Sequence, residues 1–434
     1  MPRPQQQGTQ ELPLFTKPVY IPRKSHACLA DELLAFQEFG QSTRQAETSI
    51  ETSTGQVVQT PVFVNEFWTA RQRQANALHE ISYRACFKPQ LPRFFIERLT
   101  VAGERVYDPF MGRGTTLLEA ALLGRVPVGC DVNPLSIVLT RPRLNPPFLN
   151  EIAERLGQID FSQSSEAPEE LLVFYHVETL KQISALKSYL LKRKQKKQLD
   201  HIDEWIQLVA LNRLTGHSKG FFSVYTMPPN QAVSVKSQRK INERRNQLPS
   251  LRCVPEIILR KSKQLLKECE PEHRQSLQKA AEQACLLTKA CDATPEIPSE
   301  SIALIVTSPP FLDIVDYAGD NWLRCWFLGI DPKGVQLTVP KKIADWQAAM
   351  LRVFSELARV LKPGGHVAFE VGEVHAGKTR LEDSIVPCGH AVGLKPLLIM
   401  INDQEFTKTA NCWGVDNNAK GTNTNRIVVF RKPA

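Results

Sequence analysis

The run Glu104-Arg-Val-Tyr-Asp-Pro-Phe-Met-Gly-Arg-Gly-Thr-Thr-Leu-Leu-Glu-Ala-Ala-Leu-Leu-Gly124 restricts the fold more than any other part of the chain. A strand ends at Asp108, a tight turn carries Gly112 and Gly114, and a helix runs from Thr115 to Leu123 with Gly124 as its stop. Val126 to Gly129 makes the next strand, which leads into Cys130-Asp131-Val132-Asn133-Pro134. Asp131 stands nineteen residues beyond Gly112, close to the spacing at which an acid holds a ribose in dinucleotide sites. Leu117 occupies the place of the third glycine in that fingerprint, which argues against a pyrophosphate cradle. A nucleoside cofactor without a pyrophosphate still fits. The glycines would let a ligand approach the backbone, and Asp131 would accept ribose hydroxyls. The alternative is a glycine turn that binds nothing.

A second apolar run, Ile302 to Val306, reads as a buried strand and stops at Thr307-Ser308-Pro309-Pro310-Phe311. Two successive prolines lack N–H donors and hold the backbone extended, so the last carbonyls of the strand are expected to lose their ladder partners. The Ser308 hydroxyl, the Pro309 carbonyl and the Phe311 ring then suit a flat ring that bears an amino group. Taken alone, the run is equally an ordinary strand end with a proline turn.

With 434 residues, 42% of them apolar, the chain has material for two domains or for one large domain with an insertion. The ten cysteines include no C-x-x-C pair, and the closest two, Cys285 and Cys291, are six apart without a nearby histidine pair. This predicts no metal site and a reducing compartment. No apolar run is long enough for a membrane span and no signal peptide opens the chain, so a soluble, cytoplasmic protein without a membrane partner is expected.

Residues 1–60 are rich in Pro, Gln, Ser and Thr and read as a poorly ordered arm, with one short helix between Cys28 and Phe39. Residues 61–144 and 286–434 carry an alternation of strands and helices that predicts an α/β fold. Its sheet is open, mostly parallel and covered on both faces. The strands near Leu397 to Ile401 and Ile427 to Arg431 are expected to pair antiparallel at the sheet edge. Residues 145–285 interrupt the alternation with a mainly helical insertion. From Lys187 to Lys263, seventeen Lys and Arg face five Asp and Glu, so a net +12 sits on this segment and −3 on the remainder of a chain whose net charge is +9. Lys219, Asn230, Gln231, Lys236, Gln238, Arg239, Lys240, Arg244 and Arg245 interleave cations with base-reading amides, and Phe221, Phe222 and Tyr225 lie among them.

With these residues in place the chain resembles the S-adenosylmethionine-dependent amino-methyltransferases that act on DNA, the cytosine-N4 group above all. Asp108-Pro109-Phe110-Met-Gly112-Arg-Gly114-Thr115-Thr116 is similar to the family's cofactor loop, and Thr307-Ser308-Pro309-Pro310-Phe311 to its catalytic motif. The resemblance implies a Rossmann-like methyltransferase sheet and S-adenosyl-L-methionine as cofactor. By the same analogy Asp131 holds the ribose hydroxyls, Asp292 holds the adenine amino group, Asn133 and Thr307 also contact the cofactor, and the segment with Tyr83, Phe87, Lys88 and Pro89 faces the methionine. It also implies double-stranded DNA as substrate and a cognate restriction endonuclease as partner. A serine before the two prolines is what the resemblance associates with cytosine N4, adenine-N6 enzymes commonly carrying Asp or Asn there. The insertion enters before Asp292, one strand earlier than in the arrangement it otherwise resembles, so its assignment to target recognition rests on charge and composition. An adenine-N6 DNA methyltransferase, a guanine-N2 RNA methyltransferase and a non-catalytic nucleic-acid-binding module are the alternatives.

Overall fold

The structure is a computed structural model that describes residues 28–52, 54–68, 75–83, 86–163, 167–227, 233–310, 317–331, 335, 340, 342–371, 373–374, 379–403 and 424–434. Its strands are β1 (Arg44–Glu51), β2 (Val57–Asn65), β3 (Arg105–Asp108), β4 (Val126–Asp131), β5 (Cys285–Thr288), β6 (Ile302–Thr307), β7 (Leu361–Val371), β8 (Glu373–Val374), β9 (Thr379–Arg380), β10 (Lys395–Asp403) and β11 (Thr424–Arg431). All but β8 and β9 join one sheet in the order β1-β2-β10-β11-β7-β6-β3-β4-β5. The run from β7 through β6, β3 and β4 to β5 is parallel throughout. β11 is antiparallel to both β7 and β10.

The β10–β11 pair forms as expected, but it does not lie at the edge. β2 adds parallel to β10, and β1 closes the sheet as an antiparallel hairpin partner. Residues 28–60 are therefore no disordered arm, since they contribute α1 (Leu29–Leu34), β1 and the start of β2. The polar composition of β1 is that of an edge strand whose residues, Ile50 excepted, meet solvent. Residues 1–27 lie outside the described set.

The helices α2 (Gln90–Leu99), α3 (Thr115–Leu122) and α4 (Leu135–Leu144) belong to the first sheet half. The insertion supplies α5 (Leu149–Gln158), α6 (Val177–Gln195), α7 (His201–Leu211), α8 (Val235–Arg245), α9 (Val254–Leu265) and α10 (Pro271–Gln283). After it come α11 (Tyr317–Leu328), α12 (Ile343–Val360) and α13 (Glu382–Ala391). Alternation along β6 explains the layering: Leu304 and Val306 pack with α1 and α2 on one face and Ile305 with α12 and α13 on the other, where Ile302 joins it because the register shifts between Ile302 and Leu304. The insertion is not a separate globule. Trp205, Ile206 and Ile258 share one core with Leu118 of α3, Leu139 of α4 and Phe327 of α11.

Candidate active site

The strand order reverses between β3 and β6, since β4 and β5 lie to one side and β7 to the other. In open α/β sheets such a switch point leaves a crevice at the carboxyl ends of the strands, where ligands bind. Both motifs read from the sequence end there, Asp108 on β3 and Thr307 on β6.

Two consecutive hydroxyls at the end of β6 reach two buried carboxyl groups on the flanking strands. Thr307 donates to Asp108 Oδ1 at 2.6 Å, on the β3 side. Ser308 donates to Glu370 of β7 on the other side. The register explains the second contact, because Thr307 pairs with Phe369 and so brings the next residue on each strand together. Asp108 also accepts from the Phe110 amide at 3.1 Å. Burial pushes both carboxyl groups up, each to about 7, against the opposing pull of these hydrogen bonds. Asn425 of β11 donates to Glu370 Oε1 as well. Glu370 was not foreseen from the sequence. The signal available was one acid in the otherwise apolar run from Val367 to Val371.

Other contacts correct the expectation that the carbonyls around the proline run are open acceptors. The Val306 carbonyl accepts from Thr116 Oγ1 of α3 at 3.1 Å, and the Pro310 carbonyl from Trp346 Nε1 of α12 at 3.1 Å. Thr307 and Asp108 are buried and spent on each other, so they fasten β6 to β3. Phe311 lies outside the described residues.

The glycine turn is shaped by what surrounds it. Gly114 has φ +73°, and a Cβ there would come within 2.2 Å of Thr140 Oγ1. Gly112, at φ +48°, donates its amide to Asp131 Oδ2 at 2.8 Å, while Asn133 N–H donates to Oδ1 at 2.8 Å. The missing third glycine also finds its reason here: a Cβ on Gly129 of β4 would meet Leu117 Cδ2 and Met111 Sδ at 2.6 Å. The close helix-to-strand approach is made by removing the side chain from the strand instead of the helix.

The segment before the turn is held by arginines. Arg113 Nη1 donates to the Ile81 carbonyl at 3.1 Å, and Arg143, wholly buried, donates to the carbonyls of Leu78, Leu139 and Arg113. Burial lowers the Arg143 pKa to about 9. Tyr83 lies against the turn, with its hydroxyl accepting from Asn133 Nδ2 at 3.2 Å. Asn133 thus positions Tyr83 and, through its Oδ1, the first turn of α4. Lys88 is exposed just ahead of α2, while Pro109 is buried and Phe110 and Thr115 line the turn's two sides at partial and full burial.

Asp292 does not sit at a strand end as expected. β5 stops at Thr288, and the exposed Asp292 pairs with Arg352 of α12 at 3.4 Å. In the insertion, Lys219, Lys236, Arg239, Lys240, Arg244 and Arg245 are exposed, all but Lys219 on α8. Gln238 is a correction: it is fully buried and donates to the Tyr225 carbonyl at 3.1 Å and to Asn242 Oδ1 at 2.7 Å. It anchors α8 and cannot read a base. Phe221 and Phe222 are core residues, and Tyr225 lies under the Arg245 guanidinium at 3.8 Å. Asn230 and Gln231 lie outside the described residues.

Residues 20–138 match the N6/N4 family of DNA methylases. That likeness is confined to the matched region. This region contains the glycine turn and Asp131, whereas Ser308 and Glu370 lie beyond it. The residues of this region suit a nucleoside cofactor, with Gly112 and Gly114 leaving the backbone open to a ligand beside the Asp131 carboxylate. The chain is 22% identical over 308 residues to the Type II methyltransferase M.BsoBI of Geobacillus stearothermophilus, covering 64% of this chain and 58% of that one. It is 26% identical over 183 residues to the Type II methyltransferase M.MvaI of Kocuria varians, covering 41% and 37%. The chain thus spans less than two thirds of the length of either relative. A Thermus thermophilus protein solved in complex with S-adenosyl-L-methionine is 24% identical over 32% of this chain and 50% of that one, with a TM-score of 0.19. Among the described residues, no helix is long and apolar enough to cross a membrane.

Proposed function

We propose that this protein transfers the methyl group of S-adenosylmethionine to the exocyclic N4 amine of a cytosine turned out of duplex DNA. The observation that carries this reading is the Ser308 hydroxyl held against the buried carboxyl of Glu370 at the crevice edge beside the glycine turn. Bound at that turn, the cofactor supplies an electrophilic methyl group. An exocyclic amine is a weak nucleophile because its lone pair is shared with the ring. Ser308 Oγ and the Pro309 carbonyl would accept its two hydrogens, favouring a pyramidal nitrogen. When the new N–C bond has formed, the amine proton passes to Ser308 Oγ as the Ser308 proton passes to the Glu370 carboxylate, so that charge does not build up on the base. Since the amine is paired inside a duplex, the cytosine must leave the stack to reach these groups.

Expressing the chain in cells that lack DNA methylation and digesting their DNA to nucleosides should yield N4-methylcytosine. N6-methyladenine in its place would move the proposal to adenine, and methylated RNA alone would overturn it. Ser308→Ala should reduce transfer on the order of a hundredfold, as loss of one oriented hydrogen-bonding group does elsewhere, with S-adenosylhomocysteine affinity unchanged by calorimetry.

For the DNA contact we assign α8, which presents Lys236, Arg239, Lys240, Arg244 and Arg245 to solvent. Replacing Lys236, Arg239 and Lys240 by Ala should lower affinity for duplexes of any sequence. It should also make the slope of log affinity against log salt shallower by roughly 0.9 for every phosphate left unneutralised. An unchanged slope in a binding titration would remove α8 from the interface. The restriction–modification role implied by resemblance makes a nuclease with the same recognition sequence the expected partner. Resistance of DNA modified by this chain to such a nuclease tests it.

A further inference from the structure

α11 carries three polar side chains on a buried face: Asp320, Asn321 and Arg324. Burying such groups is unfavourable unless they are paired. Arg324 donates through Nη1 to Asn321 Oδ1 at 2.7 Å and through Nη2 to the Ser82 carbonyl at 3.0 Å. The same Ser82 peptide gives its amide to Asn212 Oδ1 of the insertion at 2.8 Å. Ser82 therefore has its N–H held by the end of α7 and its C=O held by α11. The next residue, Tyr83, touches the glycine turn and the Asn133 side chain.

The opposite side of α11 reaches the basic helix. Trp322 Nε1 donates at 3.3 Å to the carbonyl of Val233, the residue immediately before the Ser234 cap of α8, and its ring lies 6.1 Å from that of Phe174. One helix thus joins, by directed hydrogen bonds, the start of the exposed cationic helix and the peptide that precedes Tyr83. Nothing in the amine chemistry requires a buried arginine at this place. Its guanidinium also lies 5.8 Å from the centre of the Tyr83 ring, so it reaches the residue that touches the glycine turn.

We infer that α11 couples DNA binding to cofactor binding, with Trp322 and Arg324 as positioning residues that transmit the register of α8 to the Ser82–Tyr83 segment. The inference rests on the reading of α8 as the DNA surface and of the glycine turn as the cofactor site. A duplex that draws on α8 would fix Val233 and hence α11, and Ser82 would then hold Tyr83 against the turn in the arrangement that the cofactor needs. Linkage makes the effect reciprocal, so the cofactor product must tighten DNA binding by the same factor.

The test is to titrate S-adenosylhomocysteine into the full chain with and without a saturating pool of short random-sequence duplexes. The expected result is affinity tighter by roughly 5-fold or more with DNA present, within the usual range of coupling between sites. Trp322→Phe keeps the ring and deletes only the donor to Val233. It should leave affinity for S-adenosylhomocysteine in the absence of DNA as in the native chain and bring the enhancement close to 1-fold. Arg324→Lys, which loses the two-pronged geometry, should weaken binding both with and without DNA and reduce the enhancement as well. A native chain that binds DNA and S-adenosylhomocysteine independently overturns the coupling and leaves the proposed function standing, as does an enhancement that persists in Trp322→Phe. Should Trp322→Phe not fold, Arg324→Lys carries the test, and an enhancement as large as in the native chain overturns the role of α11. Failure of the native chain to bind DNA at all is instead a failure of the proposed function.

Discussion

Glu370→Gln is expected to slow methyl transfer on the order of a hundredfold, a loss typical of a group that accepts a proton in the transition state, while S-adenosylhomocysteine binds as before. Glutamine keeps the size of the side chain and one acceptor oxygen for the donors Ser308 and Asn425, but it cannot take up the proton that Ser308 passes on. The pH profile separates this role from a structural one. Burial raises the Glu370 carboxyl to about 7, so in the native chain the fraction able to accept a proton grows as pH rises through that value. Single-turnover rates should climb along that limb, and the climb should vanish in the Gln variant. Asp108 is likewise pushed up to about 7, but it is tied to Thr307 and remains in both proteins, so a limb that survives in Glu370→Gln would point to Asp108 instead.

Stability should move the other way. A carboxyl whose folded pKa lies above its unfolded value binds more protons when folded, so it holds its full stability below the ordinary carboxylate range. It then loses stability as pH rises from that range through about 7. The Gln variant has no such loss, and its melting temperature relative to native should increase between acid and neutral pH. A variant that is equally active, or that loses activity only by unfolding, would take Glu370 out of the mechanism.

How far the chain could be read from its residues depended on whether the relevant contacts are local. The unit from β3 through the glycine turn and α3 to β4 is written in adjacent residues, with glycines at the two left-handed positions and an apolar strand on each side. The contact between Ser308 and Glu370 is different, because 62 residues separate them and only the pairing of β6 with β7 joins them. The β1–β2 hairpin went unrecognised because one face of an edge strand is polar, and polar composition at a chain end looks like disorder. Gln238 misled in the opposite sense. It sits among cations on a helix that is otherwise exposed, and only the Tyr225 carbonyl, brought by a loop, shows that its amide points inward. Asp292 lies in a sequence that reads as a continuing strand, yet the edge strand β5 ends four residues earlier, pairs with β4 alone and has no second neighbour to extend it.

Gly114→Ala should abolish cofactor binding and destabilise the fold by about 3 kcal/mol, combining the left-handed backbone cost with overpacking of a tight site. The obstruction is specific. The added methyl would lie 2.2 Å from Thr140 Oγ1, 2.6 Å from its Cγ2 and 2.9 Å from its Cβ, and Thr140 is a buried, β-branched residue fixed on α4. Gly112→Ala is the contrasting variant. Its φ of +48° is also left-handed, but the nearest atoms to the new methyl are Tyr83 Cε1 at 3.8 Å and the Phe110 carbonyl at 3.9 Å, which is ordinary contact. It should therefore melt within about 1–2 kcal/mol of native, the left-handed cost alone, yet lose S-adenosylhomocysteine affinity, because the methyl stands where the ligand would approach the backbone. Combining Thr140→Ala with Gly114→Ala removes the two closest atoms and should recover part of the lost stability, leaving the backbone strain. Thermal melts and calorimetric titrations of these variants tell a turn needed only for folding from one that also receives a ligand. If Gly112→Ala binds S-adenosylhomocysteine as tightly as the native chain, the turn is structural and the cofactor lies elsewhere.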